Sequence, residues 1–315
     1  MKSRILVVGA TGFVGARLVP ALAATGAEVI SASRTRPATP MGEWRRVDVD
    51  APDTLPPALE GVEVACYLVH GMGGGEGYAD REARAAEAFA SAAAARGLSR
   101  IVYLGGPRPS GATSRHLESR LRTGEILRGG PVPVVELQAG MIVGPGSEGF
   151  RIIRDLGVRL PVMVLPTWLA SRSQPVAVDD VIVALVAACR LEGVEGAWGL
   201  PGPEALSARD MLWRVAALRG TRPLAVSVPL LSPRLSAVWI ELVTRAHGPV
   251  ARELVEGLRS DILCPDDGFW RFLPDHTRLG FDDAATLALR GEGASLPLAT
   301  LALERLLRVF SRRAR

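Results

Sequence analysis

The feature that most constrains this chain is a glycine pattern between a short apolar run and an amphipathic segment. The run 5–8 is apolar, and residues 9–15 read GATGFVG. From 13 to 24, apolar residues recur at helical spacing, and the segment stops before Gly26. A strand, a glycine turn and a helix in this order predict a loop whose backbone amides and helix dipole bind a phosphate group.

Each glycine of this loop has its own geometric role. Gly9 permits a tight turn, Gly12 lets the backbone approach a pyrophosphate, and Gly15 lets helix and strand pack closely. We therefore expect a bound dinucleotide to contact Gly9, Thr11, Gly12, Phe13, Val14 and Gly15. The alternative interpretation is a structural glycine turn that binds nothing.

Apolar runs and helical patterns alternate as far as residue 137. Strands are predicted near 28–32, 45–49, 63–69, 100–104 and 132–137, and helices at 78–96 and 115–128. With the first strand this makes six strands. The alternation predicts an α/β fold, a Rossmann-type doubly wound parallel sheet, whose ligands bind at the carboxyl ends of the strands.

Beyond residue 145 the segments are shorter and bounded by proline. They lie near 149–156, 161–165, 179–190 and 197–200, and after Pro203 the pattern is mostly helical. We predict an NAD(P)-binding Rossmann domain at 1–200, of which about 146–170 contribute to the substrate lobe. A smaller, mostly helical C-terminal lobe is predicted at 201–315.

The apolar segments 226–231, 237–243 and 249–258 are suited to cover a cleft. Trp239, Phe269, Trp270 and Phe272 are available to line a substrate pocket, although most of them fit a plain core equally well. The last helix places Leu303, Leu306, Leu307 and Phe310 on one face beside several arginines. A packed helix with a basic tail is favoured there over peripheral contact with a membrane.

Composition limits the partners. The formal charge is +4, but the basic residues are scattered apart from a C-terminal cluster, so we expect no nucleic acid partner. Cys66, Cys189 and Cys264 are far apart in sequence and lack metal-ligand spacing, which predicts no metal site and favours a reducing cytoplasm. No transmembrane segment is expected. We expect a cytoplasmic monomer or homodimer that acts on a small molecule.

The end of the second predicted strand indicates which dinucleotide binds. An NAD-selective site carries an acidic residue there, but residues 31–42 contain none. Ser33, Arg34 and Arg36 are instead suited to a 2′-phosphate, so NADP(H) is preferred and NAD(H) is possible. The alternative is a pair of solvated loop arginines. At the end of the third strand, Asp48 and Val49 are candidates for adenine contact, with a capping aspartate as the alternative.

The fourth strand ends at Leu68, Val69 and His70 and continues into GMGGG. This loop is suited to line the ribose and nicotinamide. The string also resembles the oxyanion loop of α/β-hydrolases, but the chain has no GxSxG nucleophile motif. Taken alone, His70 is more often a hydrogen-bonded loop residue than an acid or base.

Four strings in this sequence, GATGFVG, YLVHG, IVYLGG and PVAVDDV, resemble the extended, atypical short-chain dehydrogenase/reductases. SRHLESRLRTGEILR, ELQAGMIVGPGS and the WxxxxxQP stretch from Trp168 resemble a bacterial NAD(P)H-binding subgroup. That subgroup is similar to NmrA-like proteins and to the NAD(P)H-binding accessory subunit of respiratory complex I. The resemblance implies nicotinamide contacts from Leu68, Val69, His70, Gly105, Gly106, Gln138, Ala139 and Met141.

The chain departs from that family at its catalytic pair. A standard member uses a tyrosine as proton donor and a lysine four residues later. The only lysine here is Lys2, and the corresponding positions hold His116 and Arg120. His116 is the candidate acid and Arg120 the candidate neighbouring charge. A polar helix face without chemistry is an equal alternative.

Three functions follow from these features. The first is an NADPH-dependent oxidoreductase acting on a small carbonyl, quinone or enone. The second is a non-catalytic NAD(P)H-binding redox sensor or assembly or regulatory protein. The third and weakest is an epimerase or isomerase that recycles its cofactor.

Overall fold

The computed structural model describes residues 3–70, 77–111, 114–159, 162–221, 224–228 and 260–293. Its strands are β1 (Arg4–Val8), β2 (Glu28–Ser33), β3 (Glu43–Arg46), β4 (Val64–Tyr67), β5 (Arg100–Gly105), β6 (Val134–Gln138), β7 (Ile142–Val143), β8 (Val162–Pro166), β9 (Arg172–Ser173), β10 (Val176–Ala177), β11 (Gly196–Gly199), β12 (Leu206–Ser207) and β13 (Leu224–Val228). Its α-helices are α1 (Gly15–Ala24), α2 (Leu55–Ala58), α3 (Tyr78–Ala95), α4 (Arg115–Arg128), α5 (Glu148–Arg159), α6 (Val178–Ala188), α7 (Ala208–Leu218) and α8 (Phe281–Gly293). Short 3-10 helices lie at Pro52–Thr54, Thr167–Ala170 and Gly268–Phe272.

The central element is a seven-stranded sheet with the order β11-β6-β5-β4-β1-β2-β3. Every neighbouring pair in this sheet is parallel. The predicted Rossmann-type, doubly wound fold is confirmed.

Helices cover both faces of this sheet. Ile5 and Val7 of β1 share a core with α1 and α6. Leu6 and Val8 point to the opposite face and share a second core with α2, α3 and α4. Burial on both faces explains why β1 is a continuous apolar run and not an alternating one.

The order of the strands reverses at β1. This strand pairs with β2 on one side and with β4 on the other, so the chain builds the two halves of the sheet outward from it. Val8 is in register with Tyr67, and Tyr67 with Tyr103. The loops that follow β1, β4 and β5 therefore leave the sheet at the same edge, where doubly wound folds bind their ligands.

Three predicted elements differ from the structure. The sheet has seven strands where six were predicted, because β11, a short strand at the sheet edge with glycine at both ends, lacks a continuous apolar run. The strand predicted at 45–49 is β3 and ends at Arg46, since Asp48 forms a turn. The first helix begins at Gly15, because the two residues before it belong to the glycine loop.

A separate apolar core lies among α5, α7 and α8, around Phe150, Met211 and Phe281. Its members come from residues 143–177 and 206–289, so this core draws on both sides of the boundary predicted at residue 200. Phe269 and Trp270 belong to the C-terminal part of the chain, but they pack into the core beneath the sheet. The C-terminal part also contains β12 and β13 besides its helices.

Several predicted features lie outside the described residues. These are the segments 237–243 and 249–258 with Trp239, most of 226–231, and the last helix with its arginines. Within the described ranges, none of the helices combines the length and the apolar character that crossing a membrane requires.

Candidate functional site

The loop from Gly9 to Gly15 closes a tight turn against the end of β2. Gly9 has φ +88°, a conformation that favours glycine, and its amide and that of Ala10 both donate to the Ala32 carbonyl at 3.0 and 3.1 Å. A Cβ on Gly15 would collide with the Gly9 carbonyl. Helix α1 therefore approaches the end of β1 so closely that glycine is required at this spacing.

Four amides of this loop are available to a ligand. Those of Thr11, Phe13, Val14 and Gly15 donate to no backbone acceptor within the described part of the chain, and α1 has no acidic residue in its first turn. Free amides at the positive end of a helix dipole suit a pyrophosphate. The residues present fit the phosphates of a dinucleotide.

The loop after β2 carries two exposed arginines. Arg34 and Arg36 are exposed, and the Arg36 guanidinium lies 6.0 Å from the centre of the Trp44 ring. Ser33 is buried, and its hydroxyl donates to the Thr35 carbonyl at 2.7 Å and accepts from Trp44 Nε1 at 2.9 Å. Ser33 thus shapes the loop that presents the arginines.

A third arginine lies at the same place and was not predicted from the sequence. Arg46 ends β3, is exposed, and is in register with Ser33 of β2. No ion pair of Arg34, Arg36 or Arg46 occurs among the described residues. The only available signal was the parallel register, which places the ends of neighbouring strands side by side.

Asp48 and Val49 occupy a turn near these arginines. The Asp48 carboxylate accepts the Asp50 amide at 3.2 Å, and its backbone N–H and carbonyl both bind the Thr54 hydroxyl at 3.0 Å. Val49 packs against the core of that face. The Asp48 carboxylate thus stabilises its own turn and caps no helix among the described residues.

The ends of β4 and β5 bring together two histidines. His70 follows β4 and is exposed, and His116 lies in the first turn of α4. Their ring centroids are 5.8 Å apart. Leu68, two residues before His70, lies against Gly9, since a Cβ on that glycine would be 3.2 Å from the Leu68 carbonyl oxygen. Val69 packs into the core, so only part of this strand end faces a ligand.

Arg120 ties α4 to the end of β5. Its Nη2 donates to the carbonyls of Leu104 and Gly105, both at 2.9 Å. The Ser114 hydroxyl caps the helix by accepting the Leu117 amide at 3.2 Å, and Leu117 packs on Gly106. The two residues predicted to be catalytic, His116 and Arg120, thus lie at the sheet edge that also carries the glycine loop.

The histidines of this edge are neutral at neutral pH. The pKa of His116 is lowered to about 4, first because its ring is desolvated and second because the charge of Arg120 opposes protonation. The pKa of His70 is also lowered, first by desolvation and then by Arg120 and His116. Arg120 is therefore the fixed positive charge beside two neutral imidazoles.

Two of the tyrosines are structural. Tyr67 and Tyr103 are buried in the core that α3 and α4 cover, with ring centroids 6.1 Å apart. The Tyr103 hydroxyl donates to the Arg120 carbonyl at 3.0 Å, and burial raises the pKa of both phenols. Both phenols are therefore engaged in the core.

Glu136 was not predicted from the sequence. It is fully buried on β6, pairs with Arg128 of α4, and accepts Gln138 Nε2 at 3.1 Å. A Cβ on Gly105 would be 2.5 Å from a Glu136 oxygen, and one on Gly124 would collide with the same carboxylate. Glu136 therefore leaves no space for a side chain at position 105. The sequence signal that could have indicated a buried, paired carboxylate is the glutamate inside the apolar run VVELQ.

The remaining residues predicted to contact the nicotinamide lie in different places. Gln138 ends β6 beside Gly105 and is partly exposed at this edge. Ala139 is buried in the core beneath the sheet, and Met141 packs against the core of the C-terminal part. The side chains of Ala139 and Met141 thus serve packing.

The aromatic residues proposed to line a pocket are also mainly core. Phe269 and Trp270 are buried, and Trp270 Nε1 donates to the Pro201 carbonyl at 2.8 Å. Phe272 lies against Trp198, with ring centroids 4.9 Å apart. Among the described residues, no group of three or more histidine, cysteine or acidic side chains is suited to hold a metal ion.

Residues 9–122 match a family model described as NAD(P)H-binding. The matched segment contains the glycine loop, the arginine-bearing strand ends and the start of α4. The match confirms the prediction that the chain binds NAD(P)H. Among curated proteins, no relative matches this sequence.

Three solved structures share the fold over nearly their full length. Triphenylmethane reductase of Citrobacter sp., complexed with NADP(H), is 17% identical with a TM-score of 0.72, over 90% of this chain and 99% of that one. An NADPH-dependent quinone oxidoreductase from Escherichia coli is 17% identical with a TM-score of 0.72, over 90% and 98%. A nucleoside-diphosphate-sugar epimerase from Staphylococcus aureus is 13% identical with a TM-score of 0.71, over 91% and 100%. At these identities the likeness concerns the fold.

Proposed function

We propose that this chain, in which residues 9–122 form an NAD(P)H-binding domain of the Rossmann type, is an NADPH-dependent oxidoreductase. The proposed substrate is a small carbonyl, quinone or enone. The observation that carries the proposal is the sheet edge where the glycine loop, Gly105 and the His116–Arg120 turn of α4 meet. A binding loop and a candidate proton donor at the same edge are what a reductase needs.

The preference for NADPH rests on Arg34, Arg36 and Arg46. All three are exposed at the ends of β2 and β3, where the 2′-position of a bound dinucleotide lies in this fold. Arginine forks bind phosphate by paired charge-assisted hydrogen bonds. An NADH-selective site would carry an acidic residue there instead.

The loop from Gly9 to Gly15 and the arginines at the ends of β2 and β3 would hold NADPH, which would supply the hydride for reduction of the substrate. His116 then delivers a proton to the atom that becomes negatively charged, and water returns a proton to His116. Arg120, which binds the Leu104 and Gly105 carbonyls, would contribute positive charge near that atom. Because the pKa of His116 is about 4, its acid form increases as the pH falls.

Turnover on a panel tests this proposal. Wild-type protein and His116→Ala are assayed for NADPH oxidation with aldehydes, ketones, quinones and enones, at slightly acidic and neutral pH. We expect one substrate class to be reduced, and we expect His116→Ala to lower kcat by at least about 10²-fold, as for loss of a general acid. Absence of NADPH oxidation across the whole panel would contradict the proposal.

The second candidate is a non-catalytic NAD(P)H-binding redox sensor or assembly or regulatory protein of the NmrA-like kind. The observation that favours it is the replacement of the family's tyrosine and lysine by His116 and Arg120, with Tyr67 and Tyr103 engaged in the core. It predicts nucleotide binding without turnover. A turnover that His116→Ala abolishes excludes it.

An epimerase or isomerase is the third candidate, and the Staphylococcus aureus neighbour has this activity in its name. Such an enzyme recycles its cofactor, so dinucleotide retained through purification would support it.

Finally, we propose a cytoplasmic monomer or homodimer. Its three cysteines are free thiols, including Cys66 and Cys189, whose sulfurs lie 3.4 Å apart in the core.

A further inference from the structure

Arg17 of α1 makes two hydrogen bonds that connect the glycine loop to a distant turn. Its Nη1 donates to the Phe13 carbonyl at 2.6 Å, and its Nη2 donates to the Pro145 carbonyl at 2.7 Å. The guanidinium also lies 4.7 Å from the centre of the Phe13 ring. Neither the glycine pattern nor the proposed reaction requires an arginine at this position.

The Phe13 carbonyl is outside the hydrogen-bond ladder of α1. The Arg17 amide donates to the Val14 carbonyl, one residue further along, and the Ala16 amide donates to Gly12. In a trans peptide the carbonyl and the following N–H point in opposite directions. By holding the Phe13 carbonyl, Arg17 therefore fixes the direction of the Val14 N–H, which is one of the four loop amides without a backbone acceptor.

The other end of this clamp is itself held in place. The turn 144–147 packs on the Phe13 ring, since a Cβ on Gly144 would be 3.3 Å from it. From the opposite side, Gly291 of α8 lies so close to Pro145 that a Cβ would be 2.5 Å from its ring. The Pro145 carbonyl thus presents Arg17 with a fixed acceptor.

We propose that Arg17 is a positioning residue for the pyrophosphate of NAD(P)H, because it sets the orientation of the Val14 amide through the Phe13 carbonyl. The inference deepens the dinucleotide-binding role and needs no turnover. It depends on both hydrogen bonds, which require the planar fork of arginine. A lysine keeps the positive charge but cannot reproduce the two-pronged geometry.

The test measures binding of two ligands by calorimetry. NADPH contains the pyrophosphate, and adenosine 2′-monophosphate contains the 2′-phosphate end without it. The variants are Arg17→Met, Arg17→Lys and the control Arg4→Met. Arg4 also binds a carbonyl and two carboxylates, but at the opposite edge of the sheet.

We expect Arg17→Met to raise the Kd for NADPH at least about tenfold, the effect of losing one charge-assisted hydrogen bond. Arg17→Lys recovers little of that loss, while the affinity for adenosine 2′-monophosphate stays unchanged in both. Arg4→Met binds both ligands as the wild type does.

Three results would overturn the inference. Arg17→Met binding NADPH like the wild type removes the role altogether. Full recovery by Arg17→Lys shows that the charge acts without the clamp. An equal loss of both ligands in Arg17→Met shows a general disturbance of the domain. The test measures binding and not turnover. It therefore tests the role of Arg17 even if the protein binds NADPH but reduces no substrate.

Discussion

Arg120 performs two tasks at the end of β5. Its Nη2 binds the Leu104 and Gly105 carbonyls, which attaches the first turns of α4 to the sheet. Its charge also lowers the pKa of His116 and of His70, after desolvation, which is the larger cause at both rings. The same side chain therefore sets the position and the acidity of the candidate proton donor.

The pH dependence of turnover by Arg120→Met tests the second task, the effect of the charge on the pKa of His116. A general acid is active below its pKa and loses activity as the pH rises through it. Removing the positive charge raises the pKa of His116 from about 4, although desolvation keeps it below the ordinary 6.5. We therefore expect the falling limb of kcat/KM for NADPH oxidation to move to higher pH.

Arg122→Met is the matched control, because Arg122 lies on the same helix but is exposed and pairs with Asp80 at 3.1 Å. Its pH profile should coincide with that of the wild type. A limb that stays in place in Arg120→Met would show that His116 is not the titrating acid.

Individual site residues differ in how far the sequence predicted them. Arg34 and His116 follow recognisable local patterns, a strand end and a family motif position, and were predicted. Arg46, Glu136 and Arg17 act through the register of strands or through distant contacts. Local spacing carries no information about such contacts, so these three required the structure.

Helix α4 is held largely by polar contacts. Besides Arg120, Ser119 binds Glu82 of α3, and Arg128 in the last turn pairs with the buried Glu136 of β6. Buried carboxylates are stable only when they are paired and hydrogen-bonded. The position of the helix that carries His116 thus depends on charge pairing at its far end.

Replacing Glu136 by alanine removes one partner of this pair and leaves a cavity between Gly105 and Gly124. We expect the free energy of unfolding to fall by about 3 kcal/mol, the lower end for breaking a buried ion pair, because Arg128 retains some access to solvent. Urea unfolding measures this value. Glu118→Ala, on the exposed side of the same helix, should stay within about 0.5 kcal/mol of the wild type.

A loss for Glu136→Ala no larger than for Glu118→Ala would contradict the described role of the Arg128–Glu136 pair.

At the scale of helices and strands, the sequence predicted the long elements well, since α3 and α4 show clear helical periodicity. It missed β11 as a sheet strand and displaced β3, because short edge strands lack the continuous apolar runs of β1 and β6.

The molecule has two kinds of core joined at the turn 144–147. The cores on the sheet faces position the glycine loop, and the third core gathers α5, α7 and α8. Gly291 brings α8 against Pro145, whose carbonyl accepts Arg17 of α1. Close contact at this turn therefore connects the C-terminal part to the dinucleotide site.

Gly291→Ala tests this junction. Alanine favours a helix over glycine, but here its Cβ would lie 2.5 and 2.8 Å from Pro145 atoms. We expect overpacking to prevail, with a loss of about 2 kcal/mol in unfolding free energy. Gly149→Ala in α5 is the control, since its Cβ meets only Met141 Cγ at an ordinary 3.7 Å.

The control should be neutral or more stable than the wild type by up to about 1 kcal/mol, because only the helix preference changes. Thermal unfolding of both variants measures the difference. If Gly291→Ala is as stable as Gly149→Ala, α8 does not press on the turn, and the connection between the two parts is absent.

The most direct test of this account is a calorimetric titration of the wild type and Arg34→Ala with NADPH and with NADH. We expect tighter binding of NADPH and a large reduction of that preference in Arg34→Ala, with little change in the affinity for NADH. If the wild type binds neither nucleotide, the loop from Gly9 to Gly15 is architecture only and the account is contradicted.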